Sequence, residues 1–365
     1  MQSVLELETP VLLLDLGTLH VNLKLMSDLC KEHNIALRPH IKTHKCVEIA
    51  KMQQKYGATG LTVATLHEAE VMSEAGFQDI FIAYQIVGET KLQRLISISR
   101  QSSIRSAVDS VEGAMALSAA AKRAGVVMPV MIEIDTGLRR AGTRSLIETR
   151  QLMAKLIEME GISVEGVFTH EGHLYTVPDA VLRNRAVKEV VSTMRDSGQI
   201  LEEYGVARPV ISVGSTPGAQ MIVREHGIGE LRSGVYCFND RTQVYLGTNP
   251  SRCAVSVLAT VLSVRSDGRV IVDAGVKALA SDRNIPDGLY GFVIDHPELQ
   301  FVACSEEHGM LQSEGDRGLK VGDKLKIVPN HCCTCVNMHD AMMVFLDDMV
   351  IDRWEISARG WKNPY

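Results

Sequence analysis

The chain has 365 residues, 45% hydrophobic and 22% charged, with a formal net charge of −6. Such a length exceeds one ordinary domain but suits a barrel of about 250 residues with an added module, and the apolar share supports a substantial core. A mildly acidic chain with no Lys/Arg-rich arm has no electrostatic footprint for nucleic acid, and no apolar run approaches the ~18 residues that span a bilayer, so small molecules are the expected ligands. The opening residues Met1 to Glu8 carry acidic side chains and no cationic segment ahead of an apolar core. Neither a secretory nor a transit signal is expected, and the predicted location is cytoplasmic.

Pro10 to Asp15 reads as an early strand. From about residue 35 to 235, eight β-rich runs alternate with helical stretches: 36–41, 61–65, 79–83, 103–108, 129–134, 163–169, 209–213 and 229–236. Between them Val187, Val190, Val191 and Met194 fall at i, i+3, i+4 and i+7, the spacing that buries one face of a helix. Strict alternation implies parallel strands, and eight such units close into a barrel. After about residue 250 the runs 254–264, 270–273, 324–328, 342–346 and 349–354 are separated by turn residues with no convincing helix, the texture of an antiparallel β module. The fold predicted is α/β: a (β/α)8 TIM-type barrel over residues 16–250, with a C-terminal antiparallel β domain made of residues 1–15 and 251–365. The early strand has no barrel position left and is assigned to that domain.

Barrel chemistry gathers in the loops after the strands. Lys42 follows the first strand, Arg139 and Arg140 the fifth, His170, Glu171, Gly172, His173 and Tyr175 the sixth, and Gly214-Ser215-Thr216 the seventh. An amine in a partly desolvated pocket among other cations loses some preference for its protonated form, and the neutral amine attacks an aldehyde. Gly214-Ser215-Thr216 suits a phosphate, with a glycine for close approach and hydroxyl and amide donors at a helix start. Either Arg140 or Arg139 can stabilise a phenolate without giving up a proton. In the β module, Pro329-Asn330-His331-Cys332-Cys333-Thr334-Cys335 read as an extended segment puts His331 and Cys333 on one side, an imidazole and a thiolate for a divalent ion, with Cys335 on the same face as a competitor. The bunched cysteines, among eight scattered along the chain, indicate reduced thiols and a metal rather than a disulfide framework.

Taken together, Arg38-Pro39-His40-Ile41-Lys42-Thr43-His44-Lys45, Gly214-Ser215-Thr216, Glu230-Leu231-Arg232-Ser233-Gly234-Val235-Tyr236, Asp273-Ala274-Gly275, Glu307-His308-Gly309, Pro329-Asn330-His331 and Trp354 to Gly360 resemble the D-threonine aldolase and D-serine dehydratase family. These are fold type III pyridoxal phosphate enzymes, relatives of alanine racemase. The resemblance implies a Schiff base on Lys42, a pyridoxal 5'-phosphate site including His40, Arg140, Tyr175, Gly214, Ser215 and Thr216, and a homodimer. It also implies a divalent metal (zinc, manganese or magnesium) on His331 and Cys333. The His331-x-Cys333 pair and the His170-x-Gly172-x-x-Tyr175 pattern are similar to the dehydratases, while Trp354 to Gly360 is similar to the aldolases. The expected activity is that of a lyase for D-3-hydroxy-α-amino acids, by retro-aldol cleavage to glycine and an aldehyde or by dehydration to a 2-oxo acid and ammonia. Lys42, His170 and His173 are its candidate catalytic residues. An amino-acid racemase and a non-catalytic cofactor carrier are the alternatives.

Overall fold

A computed structural model describes residues 2–283, 285–313 and 318–360. In chain order its strands are β1 (Val11–Asp15), β2 (Ala36–Leu37), β3 (Leu61–Val63), β4 (Asp79–Gln85), β5 (Ser103–Val108), β6 (Met128–Glu133), β7 (Ile162–Phe168), β8 (Val210–Val213) and β9 (Glu230–Leu231), then β10 (Val255–Val264), β11 (Arg269–Val272), β12 (Gly291–Val293), β13 (Gln300–Cys304), β14 (Gly309–Gln312), β15 (Lys324–Pro329), β16 (Ala341–Leu346) and β17 (Met349–Glu355). The chain divides into two compact units. One comprises Leu25–Lys42 and Ala50–Gly234; the other comprises the residues up to Lys24, Thr43–Ile49 and Val235–Gly360.

In the first unit eight described strands run in the order β2-β9-β8-β7-β6-β5-β4-β3. All the pairings are parallel, and a further parallel bridge between His40 and Thr62 joins the two ends of the row. Helices return the chain from strand to strand, and side-chain caps start them: Thr65, Ser110 and Ser145 each accept an N–H three residues on, and Asp179 accepts those of Val181 and Leu182. Val187, Val190, Val191 and Met194 are buried, as their spacing predicts. Phe81, Ala107, Met131 and Phe168 fill the barrel, the two rings meeting edge to face at 5.0 Å and 86°. Beside this apolar layer lies a buried ionic one, in which Arg38 Nε donates to Glu230 Oε2 at 2.5 Å and Arg105 Nη2 to the same oxygen at 3.1 Å; at its edge Arg38 Nη2 donates to the part-exposed Asp79 Oδ2 at 2.6 Å.

The second unit holds a described nine-stranded sheet. Six of its strands, β11-β14-β13-β12-β15-β10, form a ring, because β10 also pairs with β11. The early strand β1 lies antiparallel to β10 and parallel to β16, and β17 is antiparallel to β16. Residues 16–24, 43–49 and 235–250, predicted with the barrel, pack in this unit instead. Residue 1 and residues 361–365 of the predicted β domain lie outside the described residues. No described helix is long and apolar enough to cross a membrane.

One local expectation fails. The segment after β15 is not extended: His331 is the N-cap of a helix, Cys332–Met338. Its first N–H, that of Cys332, donates to buried Asp240 at 3.0 Å, and Asn330 turns the chain by donating to the carbonyls of Asp282 (2.8 Å) and Leu289 (2.6 Å). Seven residues are too few to show helical periodicity, and the caps come from elsewhere in the chain.

Candidate active site

Within the barrel unit, the loops after the strands enclose a cavity of about 220 Å³ lined by His40, Lys42, Tyr84, Gln85, Arg140, Phe168, His170 and Arg232, with alanines between. Three of these side chains are permanent or ordinary cations. Lys42 lies in a short 3-10 turn, Ile41–Thr43, placed by the barrel closure at His40 two residues earlier, and its backbone N–H faces His40 Nδ1 at 3.5 Å. Both histidines are held neutral. Burial, and then the charges of Lys42 and the arginines, push His40 well down and His170 to about 3. His170 Nδ1 lies 3.3 Å from the Gly214 carbonyl. A neutral ring must therefore carry its hydrogen there, which leaves Nε2 as a proton acceptor.

The structure separates pairs that the sequence left open. Arg140 lines the cavity and donates to buried Glu133 at 3.4 Å, while Arg139 adopts a left-handed φ of 58° and its N–H caps onto Asp135 at 2.9 Å. His170 lines the cavity; His173 lies with its ring against Gly137, 3.2 Å from the position a Cβ would take, and is outside the cavity lining. Tyr175 sits on the turn Gly172–Thr176 and is likewise outside it. Gly214 is needed for a reason other than the one predicted: a Cβ there would stand 2.6 Å from the backbone of Arg232, and its N–H donates to Glu171 at 3.2 Å. That leaves Ser215, whose hydroxyl is buried without a hydrogen-bond partner among the described residues, as the loop's unspent donor. An orphaned buried hydroxyl is costly, and an anion's oxygen would satisfy it. With the cationic cavity, this donor set fits a phosphorylated aromatic aldehyde.

Arg232 is absent from the predicted site, although it lies in the quoted motif. It is 2% exposed, held by Ser212 Oγ at 2.7 Å and by the Thr169 carbonyl, and its guanidinium stacks over Phe168 at 5.2 Å. Only its place one residue past a barrel strand could have flagged it. Gln85 is another addition; it donates to Glu133 Oε2 at 2.5 Å and so ties Glu133, the partner of Arg140, to the cavity wall.

In the second unit His331 and Cys333 are brought together, within hydrogen-bonding reach, by the start of the helix rather than by strand geometry. Cys335 is turned away and buried, donating to the Ala278 carbonyl at 3.2 Å, which removes it as a competitor. The Cys333 thiol is drawn well below its ordinary range by a hydrogen bond from Cys332 and by His331, with Thr43 Oγ1 also 3.4 Å away. His331 is raised to about 11 by the Cys333 charge, against burial, with Asp240 adding to the effect. An imidazole and a thiolate form a donor pair that fits a borderline-soft divalent ion. Among the described residues no group of three or more His, Cys, Asp and Glu is arranged as a metal site, so the pair would leave other coordination positions open. None of the described cysteines is disulfide-bonded.

Comparison with known proteins shows the family. The family description "Alanine racemase, N-terminal domain" matches residues 14–242, and a serine dehydratase domain matches residues 254–345. A D-threonine aldolase of an Arthrobacter species is 32% identical over 360 residues, 98% of this chain and 94% of its own. The D-threo-3-hydroxyaspartate dehydratase structure from Delftia superposes with a TM-score of 0.93 at 31% identity, covering 99% of this chain and all of the other. The chain belongs to the D-threonine aldolase and D-serine dehydratase family. It is therefore a lyase of the pyridoxal phosphate-dependent, alanine-racemase-like type. A further structure, of a D-threo-3-hydroxyaspartate dehydratase cysteine-to-alanine mutant in the metal-free form, superposes with a TM-score of 0.93 at 31% identity, covering 99% of this chain and all of the other.

Proposed function

We propose that this lyase acts on D-3-hydroxy-α-amino acids, chiefly by dehydration, with pyridoxal phosphate in the barrel cavity and zinc on His331 and Cys333. The carrying observation is an amine and an orphaned loop hydroxyl, that of Ser215, in one unit and an imidazole–thiolate dyad in the other. A thiolate donor favours zinc over magnesium or manganese. It also supports the dehydratase reading, since the His331-x-Cys333 pair is similar to that of the dehydratases.

Bound covalently at Lys42, the cofactor would supply an electron sink for charge developing at the substrate Cα, and zinc a Lewis acid for the β-hydroxyl. The remaining work falls to side chains. Ser215 would donate to the phosphate, and Arg140 and Arg232 offset the anionic groups of cofactor and substrate without titrating. Lys42 Nζ, once released, would take the proton from Cα, the step that commits the substrate to loss of hydroxide. His170 Nε2, a neutral acceptor, would serve the second route by taking the hydroxyl proton, which commits the substrate to Cα–Cβ cleavage.

Incubating the protein with D-serine, D-threonine and D-phenylserine, with zinc or with a chelator, and assaying 2-oxo acid and glycine separately tests the reading. Expected is 2-oxo acid that depends on zinc. Glycine as the sole product would replace dehydration by retro-aldol cleavage, and chelator-insensitive racemisation without either product would overturn the lyase reading.

A further inference from the structure

We infer that Asp240 is the positioning residue for the metal dyad, holding His331 so that one ring nitrogen alone is left for the ion. This rests on the metal reading proposed above. Asp240 is fully buried and spends both oxygens: Oδ2 lies 3.1 Å from His331 Nδ1 and accepts the Cys332 N–H at 3.0 Å, while Oδ1 accepts the Gln243 N–H at 3.0 Å. One carboxylate therefore fixes the imidazole of the first donor and the backbone between the two donors. It also caps the helix Arg241–Tyr245, which is tied to the same segment where Thr242 donates through its N–H (3.2 Å) and its hydroxyl (2.7 Å) to the Asn330 carbonyl. A carboxylate on Nδ1 requires the hydrogen at that nitrogen when the ring binds metal, so the lone pair is on Nε2, and it raises the ring's basicity as a ligand. No sequence spacing points to Asp240, which lies 91 residues before His331.

The test uses the pyridoxal phosphate-loaded protein and zinc, with affinity measured by competition against a chromophoric chelator. Asp240→Asn, close to isosteric, presents either an amide N–H to Nδ1–H or a neutral oxygen in place of the charged one. Expected is a 10- to 100-fold loss of zinc affinity, with the cofactor absorbance and the metal-free thermal midpoint kept near wild type, and with activity restored by excess zinc. Asp240→Glu, charged but displaced, should fall between the two. Unchanged zinc affinity in Asp240→Asn would overturn the inference. So would an affinity loss matched by a lowered metal-free midpoint, because that pattern marks a purely structural carboxylate. A wild-type protein that takes up no zinc would overturn the metal reading and this inference together, a signature separate from the other two.

Discussion

Ser215, in the loop after β8, and His170, in the cavity wall, are single side chains whose burial prepares them for the proposed cofactor. The Ser215 hydroxyl is buried and has no hydrogen-bond partner among the described residues, so removing it should help the empty protein and harm the loaded one. For Ser215→Ala we expect a cofactor-free thermal midpoint equal to or above wild type, and a roughly 10- to 100-fold weaker hold on pyridoxal phosphate by equilibrium dialysis, the value of about 1.5–3 kcal/mol for a hydrogen bond to a charged group. A lower cofactor-free midpoint would count against the orphaned hydroxyl. His170 has a linked signature. Its folded pKa of about 3 is below the ordinary 6.5, so as pH falls from 6.5 the unfolded chain takes up a proton that the folded one refuses. Stability from this group is thus fully present above 6.5 and lost towards 3. Urea unfolding of the cofactor-free protein should show His170→Asn losing less stability than wild type between pH 6.5 and about 5, by at most about 2 kcal/mol. Equal losses would show that the imidazole titrates normally.

The strands of the barrel were legible because each is a β-rich run between helical segments, and their order follows from parallel pairing of neighbours. What alternation could not show is the charge inside. Arg38 and Arg105 lie on or beside β2 and β5 yet reach the same Glu230 oxygen on β9, a meeting that exists only once β9 has come back beside β2. Breaking such a network strands buried charge, so Glu230→Gln is expected to destabilise by about 3–5 kcal/mol, measured by denaturant midpoint. A change under 1 kcal/mol would mean that water already screens the arginines. The helix Cys332–Met338 is the converse case. Its local pattern reads as an extended segment, and a carboxylate from residue 240 favours the helix instead by satisfying the first N–H.

The residues proposed for the cofactor and those proposed for the metal belong to different units of the molecule: Lys42, His170, Arg140 and Ser215 to the barrel, Thr43, Asp240, His331 and Cys333 to the other, although Lys42 and Thr43 are consecutive in the chain. The two functions should then separate experimentally. A chelator is expected to abolish turnover while leaving the cofactor's visible absorbance in place, whereas Lys42→Ala should lose that absorbance and still take up zinc. Loss of the cofactor band on chelation would show one inseparable site. The strand succession, the amine after the first strand, the loop hydroxyls and the imidazole–thiolate spacing can all be read along the chain, because periodicity and motif are local properties. Several other features cannot: the choice of His170 over His173 and of Arg140 over Arg139, the buried Arg232, and Asp240 behind His331. Each depends on which side chains long-range pairing brings within a few ångströms of one another, and burial and hydrogen-bond partnership are set by those neighbours rather than by the residue's own type.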